Sequence, residues 1–332
     1  MLEHFWYRIR PTHLVLFPLS LLFGAVVAVR RWLYRVGALH CVRMRVPVIV
    51  VGNITVGGSG KTPSVLWLVD CLQEHGYRPG IVMRGYGGSE RLQEVRPDSD
   101  PTRAGDESVL LAKRAGVPVF AGRDRAKAAL ALLAAHPSRD VLVSDDGLQH
   151  YGLARDIEIA VVDGRRRFGN GWLLPAGPLR EPVRRLGSVD AVLVHGNGVL
   201  PSVRAPQFLA KLTGDSFQNL LNPGFRATAP DLRDRALHAV AGIGNPQRFF
   251  AQLQRMGLTF RAHPFPDHFS FSADDLAFAG DDVVLMTEKD AVKCSAFARE
   301  NWWCLPVEAE VDPALATLIV AKLRSLHGRQ AT

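Results

Sequence analysis

The sequence predicts an α/β protein: one domain built on a parallel sheet, a second and smaller α/β lobe, and an N-terminal hydrophobic membrane helix. Three observations predict it. Short β-branched runs alternate with helical patterns through the first two thirds of the chain, a shorter strand–helix alternation follows a Pro/Gly/Asn-rich stretch at 215–235, and a charge-free apolar run lies near the start. The 332 residues suffice for two separate cores.

The apolar run is Leu14–Val29 (LVLFPLSLLFGAVVAV), sixteen residues without a charge. As a helix it covers roughly 24 Å, against the roughly 30 Å of a hydrocarbon core. Pro18 and Gly24 interrupt it, and both are tolerated in membrane helices. Arg8 and Arg10 precede it, while Arg30, Arg31 and Arg35 follow. Trp6, Tyr7, Trp32 and Tyr34 stand where an interfacial aromatic belt would lie. Residues 1–46 hold seven arginines against one acid, Glu3, so most of the net charge of +8 gathers here. Arginines flanking an apolar run point to an anionic membrane surface rather than to nucleic acid. Arg30-Arg31 stands where a cleavage site would need small residues, which argues against a removed signal peptide. A buried core helix is the alternative; the flanks favour an uncleaved anchor, spanning the bilayer or lying in its interface. The cysteines (Cys41, Cys71, Cys294, Cys304) form no CxxC pair and no zinc spacing, and read as reduced thiols.

Strands are expected at 46–51, 80–83, 117–121, 140–144, 157–162 and 190–194, with helices at 61–75, 106–115 and 124–135. The alternation demands a parallel sheet covered on both faces. The stretch 164–187, rich in Gly, Pro and Arg, breaks the pattern and reads as a long functional loop. The second lobe is expected to hold strands at 238–243 and 282–286, and helices from 246, at 290–299 and at 312–327. The expected organisation is a membrane-associated helix (1–35), a main domain (36–214), an interlobe connection (215–235) and a C-terminal lobe (236–332).

The chemistry is carried first by Thr55-Val56-Gly57-Gly58-Ser59-Gly60-Lys61-Thr62, a Gly-rich turn between strand and helix. Glycines let backbone N–H groups converge on phosphate oxygens, and a helix N-terminus adds partial positive charge. Lys61 can reach the β/γ-phosphates and the Thr62 hydroxyl can ligate Mg²⁺. The main domain is therefore P-loop NTPase-like, although the strict motif opens on Gly where this chain has Thr55. Val141–Ser144 lead into Asp145 and Asp146, a strand ending in metal-binding aspartates as in a Walker B element. A partition-type ATPase would carry a lysine where Val56 stands, and the nearest GTPase-like base-reading segment, Thr287-Glu288-Lys289-Asp290, has its lysine misplaced.

Seven segments in order, over nearly the whole chain, resemble the lipid A 4'-kinase family, the tetraacyldisaccharide 4'-kinases. They are VGNITVGGSGKTP (Val51–Pro63), RGYG (Arg84–Gly87), GDE (Gly105–Glu107), DDGLQH (Asp145–His150), LPAGPLREP (Leu174–Pro182), FPDH (Phe265–His268) and TEKDAVK (Thr287–Lys293). Leu148 and Phe269 depart from the Phe and His expected there. The resemblance implies ATP-dependent phosphorylation of the 4'-hydroxyl of a tetraacylated glucosamine disaccharide 1-phosphate, giving a bis-phosphorylated lipid A precursor. It implies ATP and Mg²⁺ as cofactors, membrane lipids and the lipid disaccharide as partners, and no nucleic acid or obligate protein partner. It further implies a site between the lobes on the cytoplasmic face of the inner membrane, where ATP is. Asp106 resembles the family's catalytic aspartate, taking the hydroxyl proton, and His268 its orienting partner. Arg125 matches an arginine that neutralises the transferring phosphoryl group. Gln149 and Glu181 are secondary candidates near metal and phosphate, and Arg165–Arg167, Arg180, Arg184 and Arg185 for the 1-phosphate or lipid head groups. The competing class is a membrane-associated P-loop NTPase switch.

Overall fold

The computed structural model describes Trp6 and residues 11–89, 91–196 and 198–330. Glu3, Tyr7, Arg8 and Arg10 of the N-terminal flank lie outside the described residues. The strands are β1 (Val48–Gly52), β2 (Pro79–Met83), β3 (Gln93–Val95), β4 (Val119–Ala121), β5 (Val141–Asp145), β6 (Ile157–Asp163), β7 (Ala191–His195), β8 (Gln207–Thr213), β9 (Ser216–Asn219), β10 (Arg226–Thr228), β11 (Leu237–Ala241), β12 (Arg261–Pro264), β13 (Val283–Thr287), β14 (Trp302–Leu305) and β15 (Glu308–Val311). The longer helices are α1 (Pro11–Arg35), α2 (Lys61–Glu74), α3 (Asp106–Arg114), α4 (Arg125–Ala135), α5 (Pro246–Arg255), α6 (Glu288–Cys294) and α7 (Pro313–Gln330).

Among the described residues the first sheet has the order β15-β8-β7-β6-β1-β5-β2-β4-β3 and the second β10-β9-β14-β13-β11-β12. The first is parallel from β8 through β4, with antiparallel β15 and β3 at its edges. Every residue of β1, β2, β5 and β7 is buried, as a sheet covered on both faces requires. One face packs Val65, Leu68, Val109, Leu111, Leu315, Ile319 and Leu323, from α2, α3 and α7. The other packs Ala129, Leu132, Leu179 and Leu186, from α4 and the 164–187 loop. The second sheet has its own cores, around Phe217, Phe249, Leu253 and Leu285 on one face and Val240, Met286 and Trp302 on the other.

Sheet membership differs from the expected boundaries. The stretch 215–235 supplies β9, β10 and a short helix (Ala229–Leu232) to the second sheet and its core, rather than serving as a connection. The chain then returns after β14: β15 pairs with β8, and α7 packs on the first sheet instead of closing the second lobe. The apolar face of α7 (Leu315, Ile319, Leu323) has an uncovered flank of the larger sheet to bury against, which local periodicity could not reveal.

α1 extends the sixteen-residue run to 25 residues. Within its stretch His13–Arg35 an 18-residue window has a mean hydropathy of 1.9 with only 11% of that window buried, unlike a core helix. Leu14, Val15, Leu21, Leu22, Val26 and Trp32 are exposed. A single edge docks: the Ser20 hydroxyl donates to Leu173 O (2.9 Å) and accepts from Ala176 N–H (2.9 Å). Phe17 and His13 lie against the Trp172 ring, and Trp6 Nε1–H donates to Pro175 O (3.0 Å).

The turn from β1 into α2 is fixed from below. Gly60 caps α2 with φ +86°, and a Cβ there would fall 2.7 Å from His195 Cδ2 at the end of β7. His195 Nε2 lies 2.8 Å from the Ser64 hydroxyl, which also reaches Gly60 O (2.8 Å). Burial, with the nearby Arg248 charge, pushes the His195 imidazole down to about 4, so it is neutral. Gly60→Ala should therefore cost the left-handed penalty of about 1–2 kcal/mol, plus displacement of His195. The check is urea unfolding: a midpoint equal to that of the unsubstituted chain would show that the turn can relax around a Cβ.

Candidate active site

β1 and β5 run side by side, with Val51 opposite Asp145, so the loop after β1 and the aspartates after β5 emerge at one edge of the sheet. This is the carboxyl end of a parallel sheet, where open α/β folds place ligands. The buried Asn53 amide donates within the loop, to Ser59 Oγ (3.2 Å) and Thr55 Oγ1 (3.4 Å). Thr55, the departure from the strict motif, forms a β-bridge with Leu179. Val56 N–H donates to Pro178 O (2.9 Å), and Arg180 N–H donates to Ile54 O (2.7 Å). The strap 172–181, held by α1 on one side, thus clamps the phosphate loop on the other.

Asp146 has φ +46°. Its carboxylate faces Lys61 Nζ (3.8 Å) and takes two hydrogen bonds from Arg180 (3.0 and 3.2 Å). Burial opposes ionisation, but Lys61 and Arg180 outweigh it and hold Asp146 well below the usual carboxylate range. Asp145 is the converse. Burial, with Glu107 and Asp146 nearby, pushes it up to about 7, and its Oδ1 is buried without a hydrogen-bond partner. A carboxylate so placed fits a cation. Among the described residues no three His, Cys, Asp or Glu side chains cluster around a metal position. A divalent ion held here would take its remaining oxygens from phosphate and water, as Mg²⁺ commonly does.

Across the cleft, Asp106 begins α3 and His268 lies in the loop after β12. His268 Nδ1 is 3.0 Å from Asp106 Oδ2, and Glu107 N–H donates to Asp106 Oδ1 (2.8 Å). Gly105 allows this approach: its φ is +89°, and a Cβ would meet Tyr86 O at 2.5 Å. His268 itself adopts φ +58°, with its ring edge-on to Tyr86 at 5.3 Å. Non-glycine residues in this region, such as Asp146 and His268, concentrate at functional sites. Asp106 is 5% exposed; burial would raise it, but the His268 hydrogen bond and the Lys289 charge prevail and lower it. The same hydrogen bond raises His268 against burial and Lys289.

The structure therefore brings Thr55–Thr62, Asp145 and Asp146 together, and joins Asp106 to His268 from separate lobes. It places other candidates differently. Arg125 is buried and donates to the main-chain oxygens of Asp145 (3.0 Å) and Asp146 (2.8 Å), so it shapes the turn that aims both aspartates. Gln149 Nε2–H donates to Asn53 O and to Glu181 (both 2.9 Å), while its Oε1 accepts from Arg180 (3.1 Å). Glu181 is buried among Gln149, Tyr151 and Arg185. Arg185 is buried against Glu158 (2.6 Å) and is unavailable to a head group. Arg165 and Arg166 donate backbone N–H groups to Asp163, at the end of β6. The sequence reading gave no role to Asn53, Glu107 or Lys289, though all three stood inside the quoted segments.

A family model described as tetraacyldisaccharide-1-P 4'-kinase matches residues 12–324. Similar relatives are a tetraacyldisaccharide 4'-kinase of Azoarcus sp., 56% identical over 98% of this chain and 95% of its own, and one of Methylobacillus flagellatus, 52% identical over 99% and 97%. Among solved structures, LpxK from Aquifex aeolicus in complex with ATP superposes with a TM-score of 0.80 at 30% identity, covering 94% of this chain and 99% of that one. With the family model matching residues 12–324 and relatives more than 50% identical aligned over nearly the whole chain, the chain belongs to the tetraacyldisaccharide-1-P 4'-kinase family.

Proposed function

We propose that this chain transfers the γ-phosphoryl group of ATP to the 4'-hydroxyl of a tetraacylated disaccharide 1-phosphate, with His268 as proton acceptor, at the cytoplasmic face of the inner membrane. The observation that carries the reading is a phosphate loop in the same lobe as Asp106, whose carboxylate pairs with the His268 imidazole of the second lobe. Glu107 bears on the charge of Asp145, which ties the two halves of the site together electrostatically.

The division of labour within the pair departs from the expectation that Asp106 takes the proton. Asp106 Oδ1 accepts from Glu107 N–H, Oδ2 pairs with His268 Nδ1 and its basicity is lowered, whereas that of His268 is raised. Asp106 then orients the ring and stabilises the imidazolium, as carboxylates do in other catalytic pairs. In the transfer, the hydroxyl O–H bond breaks toward Nε2 and an O–P bond forms. The bond from the γ-phosphorus to its bridging oxygen breaks, and ADP leaves with the electron pair. Backbone N–H groups of Gly57–Gly60 and the Lys61 ammonium receive the phosphate charge, while Thr55 and Val56 are tied to the strap. Thr62, Asp145 and Asp146 would hold Mg²⁺, which when bound neutralises phosphate oxygens. Arg180 fixes Asp146 in place, and Arg125 fixes the backbone beneath it.

The exposed apolar surface of α1 supports membrane association.

The test is incubation of the purified protein with ATP, Mg²⁺ and the lipid disaccharide, reading product mass. ATP turnover indifferent to the lipid would favour the switch reading instead. In this assay Asp106→Asn should lower kcat by about 10²–10⁴-fold, the range of general-base assistance, with nucleotide affinity nearly unchanged. Asp145→Asn should instead raise the Mg²⁺ concentration required. An Asp106→Asn loss rescued by high Mg²⁺ would move Asp106 to the metal site. Deleting residues 1–30 should release much of the protein from membranes on fractionation. Equal membrane recovery of a folded truncated form would remove α1 as the principal anchor.

A further inference from the structure

Lys289, the second residue of α6, is largely buried and points its ammonium at the catalytic pair. Its Nζ lies 3.2 Å from His268 Nε2, 3.3 Å from Glu107, 3.4 Å from Asp267 and 3.8 Å from Asp106. The backbone fixes this position from both ends. Thr287 caps α6 by accepting from Asp290 N–H, and the buried Asp290 carboxylate accepts from the Thr287 hydroxyl (2.7 Å) and Gly242 N–H (3.0 Å). The preceding side chain, Glu288, pairs with Arg114 of α3 and accepts from Val307 N–H (3.0 Å), locking α6 against the first lobe.

An ammonium group can only donate hydrogen bonds. Opposite Lys289, therefore, His268 Nε2 is the accepting nitrogen, and the ring proton sits on Nδ1, donated to Asp106. We propose that Lys289 is a positioning residue for phosphoryl transfer: its ammonium, set against Nε2, opposes protonation of that nitrogen and favours the Nδ1–H tautomer, with the Nε2 lone pair left for the acceptor hydroxyl. This deepens the assignment of His268 as proton acceptor and rests on it.

The need for such a group follows from the pair itself. A carboxylate bound to one ring nitrogen makes the imidazole more basic and so favours its protonated form, and the Lys289 ammonium acts in the opposite sense. The groups facing His268 are Asp106 from α3, Asp267 from its own loop, the Tyr86 ring from the loop after β2, and Lys289 from α6, whose ammonium also pairs with Glu107. Among these neighbours Asp106 and Asp267 are acids and Lys289 is the cation. When the hydroxyl enters, the ammonium can yield Nε2 and remain bound to Glu107 and Asp267, already within 3.4 Å. It then stands beside the ring without accepting the proton.

The experiment compares Lys289→Arg, Lys289→Gln and Lys289→Met with the unsubstituted enzyme, and with His268→Ala as reference. The readouts are kcat, both KM values and the pH profile of kcat, with folding checked by thermal unfolding. An unprotonated base makes activity rise with pH, and losing the neighbouring cation moves that rise to higher pH. Lys289→Met should lower kcat at neutral pH about tenfold or more, one pKa unit being a factor of ten, with the loss shrinking as pH is raised. Both KM values should stay within about threefold, as for an interaction that does not bind substrate uniformly. Lys289→Gln keeps a donor without the charge and should show the same pH displacement, and it serves if the Met variant does not fold. Lys289→Arg should retain most activity and the original profile. An unshifted profile in folded Lys289→Gln or Lys289→Met overturns the proposal, as does a raised KM with kcat intact. Near-normal kcat in His268→Ala would instead overturn the underlying assignment of the proton acceptor.

Discussion

The rest of the site depends on one contact between lobes, the 3.0 Å hydrogen bond from His268 to Asp106. Each partner is useless alone: a buried carboxylate needs a compensating donor, and a loop histidine needs something to fix its ring. The contact works because two larger interfaces hold the loops in register. α3 packs against α6, and Arg114 at the end of α3 pairs with Glu288, the first residue of α6. The chain also returns from the second sheet to the first through β15 and α7. The lobes are joined by a crossing in each direction, so the catalytic pair is built on a braced junction rather than on a single tether.

A second line of constraint runs from the apolar helix to the phosphate loop. Ser20 of α1 serves both Leu173 and Ala176, Pro178 takes the N–H of Val56, and Arg180 ties Thr55 to Asp146. The strap therefore shares its backbone hydrogen bonds between the apolar helix and the nucleotide loop. The active-site edge of the sheet lies beside the helix for a covalent and hydrogen-bonded reason. An acyl-chain-bearing acceptor and a soluble nucleotide can then meet in one cleft.

Much of this was legible in the sequence. The Gly57–Thr62 turn declared itself because few loops need that many backbone donors beside a lysine, and β1, β2, β4, β5, β6 and β7 because burial on two faces leaves continuous apolar runs, whereas the edge strand β3 (QEV) carried no such signal. What local pattern could not give was long-range pairing. β8 (QFLAKLT) mixes buried and exposed positions at a sheet flank, and β9, β10 and β15 are short strands whose partners lie far away in sequence. The same limit governed the site. Lys289 looked like a misplaced base-reading lysine until α6 was set against α3, and Arg125 and Arg185 looked like phosphate ligands until burial committed them to a carbonyl pair and to Glu158. Charge identifies an arginine from sequence; only its neighbours decide what the charge is for.

The central claim is that Asp106 and His268 act as one unit assembled from two lobes. A double-mutant cycle on kcat, from Asp106→Asn, His268→Ala and the double variant, tests it most directly, because coupled groups are non-additive. The account predicts that the double variant is scarcely slower than the worse single variant, with nucleotide binding preserved in all three. Losses that simply multiply would show that the two residues act independently, and would contradict the account.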